Sequence, residues 1–387
     1  MVEFFVVAYP WDLPAENVGG ALDQLHGGVG FSGLSLWAGI PHTIHLRAVH
    51  RNPRTFRTRG GLFFQPAERL YAQTRCQPIV SSWLATGDPL AHLSRACKER
   101  DLKLRVMVSA AVGQMAERYP EFSCRNAFGD ESYTRLCPAN PEVENYLLAM
   151  AMDLSSNERV SAICLSDWDI RWPDVDELPA SNGLGPVERS LLSVCFCPSC
   201  NRRSQSAGID VEAAQRSVQE TVDQSLDRGP AEETLFDKGM TSQPGSLSDH
   251  RRTQIEALNA LLRRMREACR CELILVRGTD DVPNKGAGEL DLSIPSAVIT
   301  QMDDAGELPS VLPAVGKRNE LQLPARWAVG IESSRLVQVL PEAVRAGFTA
   351  VGIDHYGLLT DSSLTTLKQA IRFARRSGGD DAGPQPT

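Results

Sequence analysis

The segment VCFCPSCNRR (194–203) sets Cys195, Cys197 and Cys200 in a Cys-x-Cys-x-x-Cys run with Pro198 inside it. Thiolates at such spacing bind metal, exchange disulfides or act as nucleophiles. A nucleophilic cysteine wants a histidine partner, and none lies near the run in sequence. Three thiols occupy three corners of a tetrahedron, whereas a structural zinc site needs four. Cys124 in FSCRNAFGD, Cys137 in LCPANPEV and Cys164 in AICLS are the candidates for the fourth. Cys164 falls in mid-strand, where it would pack inside. Cys137 directly precedes the helix leading into that strand, on the same loop face as the cluster. The competing role is a set of buried thiols without metal.

A second group of capable residues closes or follows short apolar runs. Tyr9, Trp11 and Asp12 come after EFFVVAY begins the chain; Trp37, His42 and His45 come at and after GFSGLSLWA. Asp167, Trp168 and Asp169 end VSAICLSD, and Arg277 and Asp280 follow CELILV. Glu332 ends ARWAVGIE, and Asp354, His355 and Tyr356 end TAVGIDHY. Aromatics, carboxylates and imidazoles suit a sugar site, where ring faces stack on pyranose C–H surfaces and polar groups bond hydroxyls. Asp354–His355 is a pair that could orient an imidazole for proton transfer. His42, beside Pro41 and close behind Trp37, reads as a pocket residue. His45 and His50, in an arginine-rich stretch, read as surface residues. Capping of the following turn or helix is the competing role for Asp167, Asp169 and Glu332.

The elements that must position these groups are eight apolar runs, most of them separated by helical stretches. They cover 3–9, 30–38, 102–109, 160–167, 271–277, 292–301, 325–332 and 349–356. Continuous rather than alternating apolarity fits strands covered on both faces. Eight such units predict an α/β fold of the (β/α)8 barrel class, a single barrel domain over 1–376. No Gly-x-Gly-x-x-Gly loop follows the first strand, which disfavours a dinucleotide-binding open sheet, and no nucleotide cofactor is expected. In such a barrel the site lies at the C-terminal ends of the strands. A long connection (39–75) follows strand 2. A longer excursion (168–250) follows strand 4 and carries the cysteines, with a polar stretch at 227–249 expected to be mobile. The tail 377–387 is expected to be disordered.

LCPANPEV, then a helix, a strand and Cys-x-Cys-Pro-x-Cys, resembles the zinc-containing bacterial β-galactosidases and related hypothetical glycosyl hydrolases of the barrel type. HRNPR (50–54) and RNAFGD (125–130) extend the resemblance, which covers roughly residues 30–210. It implies one structural zinc on Cys137, Cys195, Cys197 and Cys200. It also implies a carboxylate pair at the ends of strands 4 and 7, which here would be Asp169 as acid/base and Glu332 as nucleophile, with Asp167 beside them. The remaining strand-end residues, Tyr9, Trp11, Trp37, His42, Trp168, Asp354, His355 and Tyr356, would then bind the sugar. The strand-4 end departs from the family pattern. Trp168 replaces an asparagine, Asp169 is one methylene shorter than glutamate, and Cys164 and Ser166 stand where some relatives have glutamates. The resemblance therefore implies a glycoside hydrolase or a relative diverged from hydrolysis. A metal-dependent sugar isomerase, epimerase or aldolase around Asp167, Glu332 and His355, or a non-catalytic carbohydrate-binding pseudo-glycosidase, is the alternative.

The chain has 387 residues, is 42% hydrophobic and carries a formal charge of −8. That acidity argues against a nucleic-acid partner, which calls for a basic face. Arginine far outnumbers lysine, a usage that points to a G+C-rich bacterial source. The opening MVEFFVVAY is too short an apolar run for a secretory h-region, and no run reaches the length of a membrane span. A cytoplasmic location is the expectation, in which ten cysteines would be thiols or metal ligands. The partner is a small-molecule sugar or glycoside, and the resemblance implies a homo-oligomer.

Overall fold

The structure, a computed structural model, describes residues 2–13, 17–47, 54–111, 113–173, 176, 178, 184–229, 247–278, 290–302, 308, 317–328 and 333–377. Its centre is eight parallel strands. They are β1 (Glu3–Ala8), β2 (Gly33–Ile40), β3 (Lys103–Ser109), β4 (Val160–Ser166), β5 (Glu272–Gly278), β6 (Ala297–Gln301), β7 (Arg318–Leu323) and β8 (Ala350–Ile353). Each strand pairs with its neighbours in chain order, and β1 pairs with both β2 and β8, so the sheet closes into the expected barrel.

Helices α1 (Val18–Asp23), α2 (Pro89–Lys98), α3 (Gly113–Arg118) and α4 (Pro141–Ser156) follow the first three strands. The excursion after β4 supplies α5 (Pro186–Leu192), α6 (Pro198–Ser206) and α7 (Val211–Arg228) before the long α8 (Leu247–Ala268). Helices α9 (Ser333–Arg345) and α10 (Asp361–Ser377) complete the ring. Local rules set the ends of these helices. Asn140 accepts a hydrogen bond from the Glu142 N–H and Pro141 opens α4, a favoured N-terminal pair.

Period-two alternation divides each strand between helices and lumen. Phe4, Val6 and Ala8 of β1 join the outer core, as do Leu34 and Leu36, Val106 and Val108, and Ile163 and Leu165. Val7, Met107, Ala162, Cys164, Ile274, Val276, Ala297 and Ile299 fill the lumen. Cys164 is thus a packing residue, its thiol pushed up to about 12 by burial. Where β1, β2 and β3 crowd together only a glycine fits: a Cβ at Gly33 would stand 2.4 Å from the Lys103 carbonyl and 2.5 Å from Phe5. Below the apolar layer, Arg105 of β3 reaches across the lumen to Glu320 of β7 at 2.5 and 3.3 Å, its guanidinium 3.5 Å from the Phe5 ring centre.

That ion pair explains the one strand whose position differs from expectation. The seventh strand is RNELQL at 318–323, not 325–332; Ala325–Ala328 form a 3-10 turn. Leu321 and Leu323 face the outer core while Glu320 and Gln322 are buried on the other side, so the strand alternates and lacks the continuous apolarity of its neighbours. Trp327 of the 3-10 turn is fully buried in the outer core, which is why its segment reads as apolar. Glu332, Asp280 and His50 lie outside the described residues, as do most of the polar stretch of the excursion and nearly all of the tail. The excursion has its own apolar cluster, built on Trp172, Val187, Leu191, Val194, Phe196, Val218 and Val222, which also takes in Leu247 of α8.

Candidate functional site

On the β1–β8 side of the barrel mouth, Tyr9 continues the lumen-facing alternation of β1. The next three residues, Pro10–Asp12, form a 3-10 turn that tucks Trp11 and Asp12 inward. Asp12 is 1% exposed. Its Oδ2 accepts the Tyr9 N–H at 2.9 Å, and the Gly357 N–H donates to it as well. Position 357 must be glycine, because a Cβ there would stand 2.2 Å from Asp12 Oδ1. Burial drives the Asp12 carboxyl up to about 7, against those two N–H donors and the charge of Arg47. Asp354 ends β8, its N–H bonded to the Leu323 carbonyl at 2.9 Å. Burial raises its carboxyl to about 7 as well, and the peptide between Asp354 and His355 is cis.

The loop after β2 completes this side. A hairpin of Thr43–Leu46 and Thr55–Thr58 alternates so that Ile44 and Leu46 are exposed while His45 and its cross-strand partner Phe56 turn inward. His45, expected on the surface, therefore lies 4.1 Å from the Tyr9 ring and 4.9 Å from that of His355, centre to centre. His42, just ahead of the hairpin, is exposed. His355 Nε2 and His45 Nδ1 are 3.0 Å apart, and His355 Nδ1 stands 3.5 Å from Asp12 Oδ2. Burial pushes the His355 imidazole down to about 4, helped by His45, and burial lowers His45 too. Tyr9 stacks between Trp11 (5.1 Å) and Trp37 (5.9 Å), and Trp11 stacks on Phe56. Burial, then the Asp354 and Asp12 charges, raise the Tyr9 phenol, so it stays protonated.

The β4 side is built differently. Asp167 adopts a left-handed backbone (φ 55°), a conformation aspartate tolerates better than most residues. Its Oδ2 accepts hydrogen bonds from Ser109 of β3 (2.5 Å) and Ser166 (3.0 Å). Arg135, 3% exposed, donates to the Asp167 carbonyl at 3.0 Å and forms an ion pair with Asp169. Arg171 takes the other Asp169 oxygen at 3.1 Å. Trp168 and Tyr356, expected to face a sugar, are buried in the outer core. The structure thus brings Tyr9, Trp11, Trp37, Asp354 and His355 together on the β1–β8 side, while Asp167 and Asp169 follow β4. Asp12 and His45 join this group although the sequence, which sets both near strand ends, did not assign them to the sugar site. The signal for His45 was the alternation of TIHLR opposite TFRT, with one face apolar but exposed.

Behind the β4 segment lies a candidate metal centre. The sulfurs of Cys137, Cys195, Cys197 and Cys200 all lie within 4.8 Å of one another, and all four residues are buried. Cys137 and Cys200 are 3.6 Å apart. Four thiolates about 2.3 Å from a tetrahedral ion stand roughly 3.8 Å apart, so the spacing fits such an ion. Cys197 caps α6, Pro198 opens it, and Cys200 follows in its first turn. The Cys195 carbonyl is held by Gln254 (2.6 Å) and His250 (2.9 Å), and His250 stacks on Phe196. Against burial, which opposes charge, hydrogen bonds from the surrounding thiols hold Cys195 well below the ordinary thiol range. Cys124 is a fifth, neighbouring thiol, bonded to Cys137 and Cys195. A buried all-sulfur set of this kind can hold a metal ion, and its softness favours zinc or iron over magnesium or calcium.

No protein-family model matches the chain, and no curated protein does. Solved structures do. The catalytic domain of a β-amylase from Paenibacillus polymyxa is 11% identical with a TM-score of 0.56, over 96% of this chain and 98% of that one. A β-galactosidase from Marinomonas ef1 is 12% identical with a TM-score of 0.54, over 97% of this chain and 62% of its own. Isoenzyme 2 of the α-L-fucosidase of Paenibacillus thiaminolyticus is 11% identical with a TM-score of 0.54; this chain is covered over 99% and spans half of the fucosidase. At such identities the likeness is one of fold, and these neighbours are glycoside hydrolases built on the same (β/α)8 barrel.

Proposed function

We propose that the chain is a glycosidase-like enzyme acting on a sugar or glycosylated small molecule at the barrel mouth. Asp354 carries this reading. A carboxyl held at about 7 beside an aromatic wall can keep a proton at neutral pH and deliver it to a leaving glycosidic oxygen. Asp167, on the strand opposite β8 in an eight-strand ring, is the partner carboxylate, oriented by Ser109 and Ser166. Trp37, only partly buried, offers a ring face to the sugar, backed by the stacked Tyr9 and Trp11, with His42 and His355 as hydrogen-bonding groups at the edge. Trp168 and Tyr356 support the rim from the core.

The originally expected pair, Asp169 and Glu332, enters this reading differently. Two guanidinium groups engage Asp169, which suits a residue that orients the β4 loop. Glu332, just before α9, is the second candidate for the partner carboxylate. A separation of about 5–5.5 Å between the two working carboxyls would make the enzyme retaining, and about 6.5–9.5 Å inverting. The four-cysteine centre holds a structural zinc in this reading, and ten cysteines with no disulfide among them suit a reducing, cytoplasmic setting.

The test is turnover of an aryl-glycoside panel by the full chain and by Asp354→Asn, Asp167→Asn and Glu332→Gln variants. Loss in Asp354→Asn together with one of the other two supports the reading. Sugar binding with no turnover of any glycoside would leave a carbohydrate-binding protein. Turnover abolished by chelator and restored by Mn²⁺ or Mg²⁺ would replace it with metal-dependent sugar chemistry.

A further inference from the structure

A titratable group as deeply buried as Asp12 exchanges protons with water only if a path exists. Its own turn, Trp11 and Gly357 close around it. One continuous row of polar atoms leaves it. Asp12 Oδ2 faces His355 Nδ1 at 3.5 Å; His355 Nε2 faces His45 Nδ1 at 3.0 Å; and His45 Nε2 meets Thr43 Oγ1 at 3.0 Å. Thr43 is half-buried at the start of the hairpin, at the edge of solvent. His355 Nδ1 is buried and makes no hydrogen bond, and the Asp12 carboxyl stands 3.5 Å from it.

We propose that Asp12, His355, His45 and Thr43 form a proton wire that links the buried Asp12 carboxyl to water at the hairpin edge. The wire deepens the functional reading above and rests on it only for the use to which the proton is put.

Each imidazole has one donor and one acceptor nitrogen when neutral, so the row has two polarities. With Asp12 ionised, the Thr43 hydroxyl donates to His45 Nε2, His45 Nδ1–H donates to His355 Nε2, and His355 Nδ1–H donates to the carboxylate. With Asp12 protonated, every bond reverses. Passage outward breaks the Asp12 O–H bond as His355 Nδ1–H forms, breaks His355 Nε2–H as His45 Nδ1–H forms, and moves the His45 Nε2 proton through the Thr43 hydroxyl to water. Asp12 is left as carboxylate, one hydronium leaves, and nothing is oxidised or reduced. The low affinity of both imidazoles for an extra proton, set mainly by burial, keeps them neutral carriers. Charged and titratable groups facing the row are Arg47 from the hairpin, Asp354 ahead of His355, and the phenols of Tyr9 and Tyr356. Through the coulombic coupling of Asp12 and Asp354, a charge that the wire leaves on Asp12 raises the affinity of Asp354 for its own proton.

The test is imidazole ¹⁵N spectroscopy of the full chain across pH 5–9, with the seven histidines assigned by His→Gln variants. In the wild type, the Nδ1 and Nε2 signals of both His45 and His355 should exchange places with one shared midpoint, that of the Asp12 carboxyl. In Asp12→Asn that transition should vanish from both rings. In Thr43→Val, an edge substitution that spares the fold if Asp12→Asn does not, the His355 transition should shift although the lost hydroxyl meets His45 and not His355. A His45 that titrates to imidazolium by its own midpoint, or a His355 transition unmoved by Thr43→Val, overturns the wire. Coupled rings in a chain that cleaves no glycoside would keep the wire and sink the sugar chemistry; uncoupled rings in an active enzyme would do the reverse.

Discussion

Asp12 and Asp354 on one side of the barrel mouth and Asp167 and Asp169 on the other are the same residue in opposite surroundings. The first pair sits among Tyr9, Trp11, Trp37 and two neutralised imidazoles, with Arg47 the cation that acts on Asp12. The second pair is held by two serine hydroxyls and two guanidinium groups, and is about 40% exposed. Burial without compensation favours the protonated carboxyl, whereas ion pairing favours the charge. On one side burial raises both carboxyls; on the other, hydroxyls and guanidinium groups orient them.

The strongest way to break the comparison is to remove the stored proton. Asp354→Asn should lower kcat/KM on a cleaved glycoside by about 10²–10⁴-fold, the usual worth of a general acid. Asp169→Asn should cost roughly tenfold, the value of a charged hydrogen bond that positions the loop. Equal losses would mean that the two sides do not differ in role.

A sealed ion pair on the lumen floor gives a stability reference outside both regions. Glu320→Ala leaves Arg105 buried with only the longer contact to Glu3, at 3.9 Å, and should destabilise the fold by about 3 kcal/mol in urea denaturation. Metal analysis addresses the support of the β4 side. Protein purified without chelator should hold about one zinc per chain. Cys197→Ser should lose it and lower Tm, with Trp168, buried in the same core as the cysteines, reporting by fluorescence.

The Asp354 carboxyl also sets a pH dependence of stability. Asp354 has a folded pKa of about 7, above the value of about 3.9 in an unfolded chain. Between those values the folded state holds the proton that the unfolded state releases, so this residue makes stability fall as pH rises from about 4 to about 7. His355, lowered to about 4, works against that slope between about 4 and 6.5. Asp354→Asn should therefore gain stability relative to the wild type between pH 5 and pH 8. A constant difference across that range would remove the claim that burial holds the proton there.

Legibility in the sequence followed chemistry that acts over a few residues. FFVVA, KLRVMVS and ELILV declared strands because both of their faces meet protein. RNELQL did not, because Glu320 answers an arginine contributed 215 residues earlier. The cysteine run announced itself by spacing, while the choice of Cys137 over Cys124 came from resemblance; both sulfurs lie beside Cys195 in the fold. His45 looked like a surface residue because its neighbours are arginines and threonines. Its burial comes from a hairpin that folds back over Trp11 and Tyr9.

By itself the sequence determined the eight-unit barrel, the three-cysteine run and most of the strand ends on which chemistry could sit, since apolar runs and short motifs are local properties. Only the tertiary structure decided which aspartates lie in apolar surroundings and which meet arginine. A side chain's pKa and hydrogen-bond partners depend on groups brought close by closing the barrel, many of them over a hundred residues away in the chain. VCFCPSCNRR proved to supply three of four buried cysteines that could hold a metal ion, and the aspartates raised by burial, Asp12 and Asp354, lie on the β1–β8 side beside His355.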